Sequence, residues 1–184
     1  VLDPFHVVRW ASNMLDDCRR RVQQDTLGRR GRKDDLLYKH RRTLLTRISY
    51  LSDANKKQLA RLFSDECHLE VDCSWSMYQR VVSAYNEPDR RRGKMLMQEL
   101  IKIITAPDLP IELIEVKQLG KTLKKYAQSI LAYFDRPGTS NGPTEAINGR
   151  LEHLRGIALG FRNLTNYIAR CLLESGGFRK QLHP

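Results

Sequence analysis

Apolar residues recur at steps of three and four along almost the whole of this chain, a spacing that favours helices over strands. The longest run opens at Pro110. Leu113, Val116, Leu119, Leu123, Ala127, Ile130 and Phe134 form one stripe, and Lys117, Lys121, Lys125 and Gln128 form the opposite one. The pattern predicts a single amphipathic helix with a buried apolar side and a basic outer side.

Local signals place the other helices. Asp3 suits an N-cap and Pro4 the first helical position, so a helix is expected from Asp3 to about Gln24. Val7, Val8, Ala11, Met14, Leu15, Cys18 and Val22 form its apolar side, and Gly28 and Gly31 interrupt it. Thr43 to Tyr50 permits either a short strand or a helix. Ser52 reads as the N-cap of a helix carrying Leu59, Leu62 and Phe63. Further helices are expected from Leu69 to Tyr85, with Trp75, Tyr78, Val82 and Tyr85 on the apolar side, and from Arg90 to Thr105, before Pro107. Arg136 to Gly142 reads as a loop. Pro143 opens a helix holding Glu145, Ile147, Leu151 and Leu154, and Asn163 caps a last one that runs to Glu174 before Gly176 and Gly177.

Charge narrows the partners. The 184 residues carry 32 Lys and Arg against 21 Asp and Glu, a net +11. Basic groups that neutralise phosphates release condensed counterions, so this excess favours nucleic acid. No apolar run approaches a membrane span, and no charged-then-apolar segment opens the chain. Between Arg19 and Arg47 there are eleven Lys and Arg against three Asp. Arg29, Arg30, Arg32, Lys33, Arg41 and Arg42 are the candidate DNA contacts within it. The four cysteines, Cys18, Cys67, Cys73 and Cys171, form no paired C-x-x-C units. Only Cys67, His68 and Cys73 cluster, and reduced thiols are the expectation.

Two segments go further. Asp3-Pro4-Phe5-His6-Val7-Val8 resembles the D-x-F-H-V segment of bacterial insertion-sequence transposases of the ISL-three type. Gly28-Arg29-Arg30-Gly31-Arg32-Lys33-Asp34, with Tyr38 and Arg41-Arg42, resembles the basic segment that follows it there. Ser140-Asn141-Gly142-Pro143-Thr144-Glu145-Ala146-Ile147-Asn148 is similar to the family's S-N-x-x-x-E-x-x-N motif, and Gly160-Phe161-Arg162-Asn163 and Gly176-Gly177-Phe178 continue the resemblance. Order and spacing together make the match specific, although each piece alone is weak.

The resemblance implies a DDE transposase with an RNase H-like catalytic core. Asp3 matches the second catalytic Asp and Glu145 the Glu, and the first Asp is expected upstream of Val1. On this reading the chain is mainly α, an incomplete core with a helical insertion. Residues 1–50 carry the second Asp, 51–135 form the insertion, and 136–184 bring the Glu. The chain alone is expected to be inactive.

The implied reaction explains the residue types. Breaking a phosphodiester needs an activated oxygen nucleophile and a stabilised leaving oxygen, which two divalent ions roughly 3.5–4 Å apart supply. Carboxylates suit Mg²⁺, or Mn²⁺ in its place. Transposon-end and target DNA are the implied partners, with a homo-oligomer on the DNA, in the bacterial cytoplasm at the nucleoid. Asn148, one turn beyond Glu145, is a candidate to orient it or to touch DNA. His6 reads as a packed side chain, because Mg²⁺ favours oxygen ligands.

Plainer readings stand beside these. Asp3 serves equally as an N-cap alone, and Glu145 as a charge facing a helix's positive end. Glu152 and Asp135 are the reserve carboxylates. A non-enzymatic basic helical module that binds DNA or a partner explains charge and helices equally well, but not the segment from Ser140 to Asn148.

Overall fold

The computed structural model describes residues 1–29, 31–136, 142–157 and 164–175. The chain forms two compact units, Val1–Gly138 and Thr139–Pro184.

The first helix of the larger unit, α1 (Pro4–Leu27), starts where Asp3 leaves helical geometry. The Asp3 carboxylate accepts from the Phe5 N–H at 2.8 Å. Pro4 follows at no cost, because an N–H there would lack a helical partner. The far end closes on Gly28, whose φ of 64° is left-handed and whose N–H donates to the Gln24 carbonyl. The expected apolar side is buried, from Val7 through Ala11, Met14, Leu15 and Cys18 to Val22. Burial pushes the Cys18 thiol up to about 11, so this sulfur packs as a small hydrophobe.

The chain then turns through α2 (Leu36–Lys39), α3 (Arg41–Leu44) and a 3-10 turn at Ile48–Tyr50. The segment that permitted a strand is therefore helix and turn, and the described residues contain no strand. Gln79 holds it from the side, accepting from the Ile48 N–H and donating to the Thr46 carbonyl. Ser52 caps α4 (Asp53–Phe63), accepting from the Asn55 N–H. Next come α5 (Leu69–Asn86) and α6 (Arg90–Ile104).

The long basic pattern resolves into two helices, α7 (Ile114–Lys125) and α8 (Ala127–Asp135). The expected stripe is kept: Val116, Leu119, Leu123, Ile130 and Phe134 are buried. The break falls at Tyr126, where no Pro or Gly announces it, and its ring lies 5.5 Å from that of Trp10 on α1.

Four helices close a ring: α1 packs on α5, α5 on α6, α6 on α7, and α7 back on α1, with α8 against α6. Two glycines set the spacing. A Cβ on Gly93 would lie 2.7 Å from the Ala84 carbonyl oxygen, and one on Gly120 would lie 2.5 Å from that of Ile104. The second unit is a helical pair, α9 (Gly142–Ile157) against α10 (Leu164–Ser175).

One polar cluster ties the ring. Arg21 of α1 donates to both oxygens of Glu115 on α7, at 2.7 and 2.9 Å, and to Glu70 on α5 at 2.5 Å. The side chains of Arg21, Glu115 and Glu70 are 26%, 12% and 30% exposed, so water screens them only in part. Hydrogen bonding to Arg21 holds the Glu115 carboxyl below its ordinary value.

Arg21→Met should therefore lower unfolding free energy by about 2–3 kcal/mol, less than for a fully buried pair. Because the Glu115 pKa is depressed on folding, its contribution is complete above the ordinary carboxylate range. It is lost as pH falls through the lowered value. Urea unfolding at pH 7 and pH 3 should show a larger acid loss for the unaltered protein than for Glu115→Gln. Equal losses would contradict this account of the cluster.

Candidate functional site

Asp3 is a buried carboxylate, 9% exposed, at the positive end of a 24-residue helix. Leu2 fixes the approach, its N–H donating to the Ser129 carbonyl of α8 at 3.0 Å. Phe5 is exposed and sits edge-on to the half-buried His6 ring. Sequence reasoning missed one buried polar group, Tyr85. The Tyr85 hydroxyl is buried with no hydrogen-bond partner among the described residues, its ring stacked on Phe134. Burial pushes this phenol far above its ordinary range, and Tyr133 and then the Asp3 charge add to the effect. Tyr85 had read only as an apolar helix position, because the fold that brings α5 towards the start of α1 is not encoded locally.

Glu145 lies near the N-terminal end of α9, in the second unit, and its side chain is outside the described residues. Asn148 follows one turn on and is exposed. Both reserve carboxylates face cations: Lys94 meets Asp135 at 2.7 Å, and Arg155 lies 3.9 Å from Glu152.

The basic run separates into an inner and an outer set. Arg19 is buried, bonded to Asp16 and Gln23, and Arg21 belongs to the inter-helix cluster. Arg29 grips Asp35 with two bonds of 2.7 and 2.8 Å. Asp35 also accepts from the Arg32 backbone N–H, and these partners lower its carboxyl to about 2. Arg29 is thus the strut of the turn that presents its neighbours. Arg32, Lys33 and Arg42 are exposed and make no ion pair with the described residues. Arg41 is half-buried, 4.2 Å over the Tyr38 ring and bonded to the Tyr38 carbonyl. Arg30 lies outside the described residues.

Between α1 and the α2–α3 segment run two clefts of about 450 and 440 Å³ that share Arg19, Arg20 and Tyr38. Arg41 and Arg42 line the second. The charge count pointed to this segment. The concavity was not legible, because it needs α1 and residues 31–45 to face one another.

The described residues gather no group of three or more His, Cys, Asp or Glu that could hold a metal. In donor type, an Asp3 carboxylate with an unsatisfied Tyr85 hydroxyl in its field fits a hydrated hard cation such as Mg²⁺. Among the described residues no helix is long and apolar enough to cross a membrane.

Comparison with known families gives the class. The family model described as Transposase, of the ISL-three type, matches residues 1–171, a span that includes Asp3, the basic segment and Glu145. The chain belongs to this family of transposases, enzymes that act on DNA. No curated protein matches it, and no solved structure does.

The inner and outer cations should differ in a salt titration. Arg42→Ala and Lys33→Ala should each reduce the slope of log Kd against log salt for duplex DNA by about 1, one phosphate contact apiece. Arg29→Ala should lower the slope by less than either, since Arg29 spends its charge on Asp35 and supports the turn instead of meeting phosphate. Fluorescence anisotropy from 50 to 200 mM salt measures this, and a slope change for Arg29→Ala equal to that for Arg42→Ala would put Arg29 on the DNA.

Proposed function

We propose that this chain supplies two carboxylates, Asp3 and Glu145, of a DDE transposase site that cleaves DNA at transposon ends and joins the freed strand to target DNA. The observation that carries this reading is the family match across both positions, with Asp3 a buried carboxylate held at a helix start. The third carboxylate belongs to sequence outside these residues. Residues 1–50 and 136–184 contribute to an RNase H-like core, and 51–135 form the helical insertion packed directly on α1. Residues 1–184 by themselves are inactive.

Asp3 and Glu145 would hold the divalent metal, Mg²⁺ or Mn²⁺. The chemistry of two such ions, when bound, is activation of an oxygen nucleophile and stabilisation of the leaving oxygen. The protein's part is placement. The cap bond from the Phe5 N–H fixes one Asp3 oxygen, and the Leu2–Ser129 bond fixes the backbone before it. A ligand held this way loses little rotamer freedom when the site assembles. Asn148, one helical turn beyond Glu145 and exposed, would orient Glu145 or meet a phosphate. Arg32, Lys33, Arg41 and Arg42 bind the DNA backbone, and the protein works as a homo-oligomer on its DNA. Water attacks first at the transposon end, and the freed 3′-hydroxyl then attacks target DNA. Neither step needs a covalent enzyme intermediate, so no Ser-His or Cys-His pair is called for.

The capping role of Asp3 dictates the variant that tests the proposal. Asp3→Ala would remove a cap worth about 1 kcal/mol along with the charge. Asn caps a helix as well as Asp does, so Asp3→Asn removes the charge and keeps the helix start. In the full-length transposase with Mg²⁺ or Mn²⁺, Asp3→Asn and Glu145→Gln should each reduce cleavage of transposon-end DNA by at least about 100-fold. Affinity for that DNA should stay within about twofold, because losing a carboxylate does not weaken attraction to phosphate. Full cleavage by Glu145→Gln would remove Glu145 from the site. Full cleavage by Asp3→Asn would leave Asp3 as a cap alone.

A further inference from the structure

The joined clefts beside α1 have a shape and lining that charge alone does not require. Arg20 of α1 and Arg41 and Arg42 of α3 line them, with Arg19 also in the wall. One carboxylate, Asp16, shares the second cleft and pairs with Arg19 and Arg20 at 2.6 and 2.5 Å. Four guanidiniums against one carboxylate leave a clear excess of positive charge. In the middle, Tyr38 borders both clefts, with the Arg41 guanidinium 4.2 Å over its ring and tied to its own carbonyl at 2.8 Å. The pair is a flat platform already in place before any ligand arrives.

We propose that this groove binds unpaired nucleotides of a DNA strand, with a base resting on the Tyr38–Arg41 stack and a flanking phosphate on Arg42. The inference rests on the transposase reading and deepens it, because it names the form of DNA one surface takes. Each cleft has the scale of a small-molecule pocket, and two of them in series suit successive nucleotides. A stacking platform set in a basic channel is what sequence-tolerant single-strand binding requires, because every base offers a π-face. A duplex keeps its bases stacked inside and can meet these arginines only through its outer phosphates. It gains nothing from Tyr38.

The test compares the full 184-residue chain on a fluorescent oligothymidine and on a duplex of fixed sequence. Tyr38→Ala should weaken oligothymidine binding about tenfold and leave duplex binding within about twofold, while Tyr38→Phe, which keeps the ring, should behave like the unaltered chain. Equal weakening on both DNAs, or none on either, would overturn the inference; in either case measurable duplex binding leaves the transposase reading standing. Failure of the unaltered chain to bind either DNA would count against both. A second measurement needs no variant. Oligothymidine carrying 5-iodouracil, irradiated on the unaltered chain, should crosslink within residues 38–42, and adducts only elsewhere would contradict the proposal.

Discussion

Three helices meet on one guanidinium. Arg21 reaches from α1 to Glu115 on α7 and Glu70 on α5, and the ring of α1, α5, α6 and α7 is in register because those bonds are made. An arginine is suited to this place, since its planar fork grips both oxygens of Glu115 while still reaching Glu70, a bidentate geometry that a lysine's ammonium does not offer. Around it the packing is close enough that Gly93 and Gly120 are needed where helices cross. The candidate site inherits this rigidity. Asp3 caps the same helix that carries Arg21, one end of α1 facing the site and the other locked into the cluster.

The basic segment therefore does two jobs that its composition does not separate. Arg19, Arg21 and Arg29 are used internally, on Asp16, on Glu115 and Glu70, and on Asp35. Arg32 and Lys33, on the turn that the Arg29–Asp35 pair holds, and Arg42 on α3 are exposed and are the cations proposed to meet DNA. A positive surface built on internal ion pairs presents its free charges in a fixed order, and order is what lets a transposase place a phosphate backbone instead of merely attracting it.

Much of the helical fold was legible in the sequence. Asp3-Pro4 and Gly28 bound α1, Ser52 starts α4, and the apolar spacing marks the buried faces of α1 and α7 and part of that of α5. These signals are local, and local physics reads them. The break at Tyr126 was not legible, because the stripe runs through it unchanged and only contact with α1 brings Trp10 against the ring. Nor was the inward use of Arg21, since its partner Glu115 lies 94 residues away. At the site, Asp3 and Glu145 stood out only through the resemblance of their flanking motifs to the transposase family. Tyr85 and the groove at Tyr38 did not, because each depends on which helices pack together.

The central proposal is that Asp3 and Glu145 both serve as metal ligands of the transposase on DNA. Iron-directed cleavage of the polypeptide tests it most directly. Fe²⁺ substituted for Mg²⁺ in the full-length transposase bound to transposon-end DNA, with ascorbate and peroxide, cuts backbone within a few ångströms of the metal. The account predicts two clusters of cuts in this chain, one around Asp3 and one around Glu145, both suppressed by excess Mg²⁺ and both lost together in Asp3→Asn. Cuts around only one of the two residues, or Mg²⁺-sensitive cuts centred on Asp135 or Glu152, would contradict it.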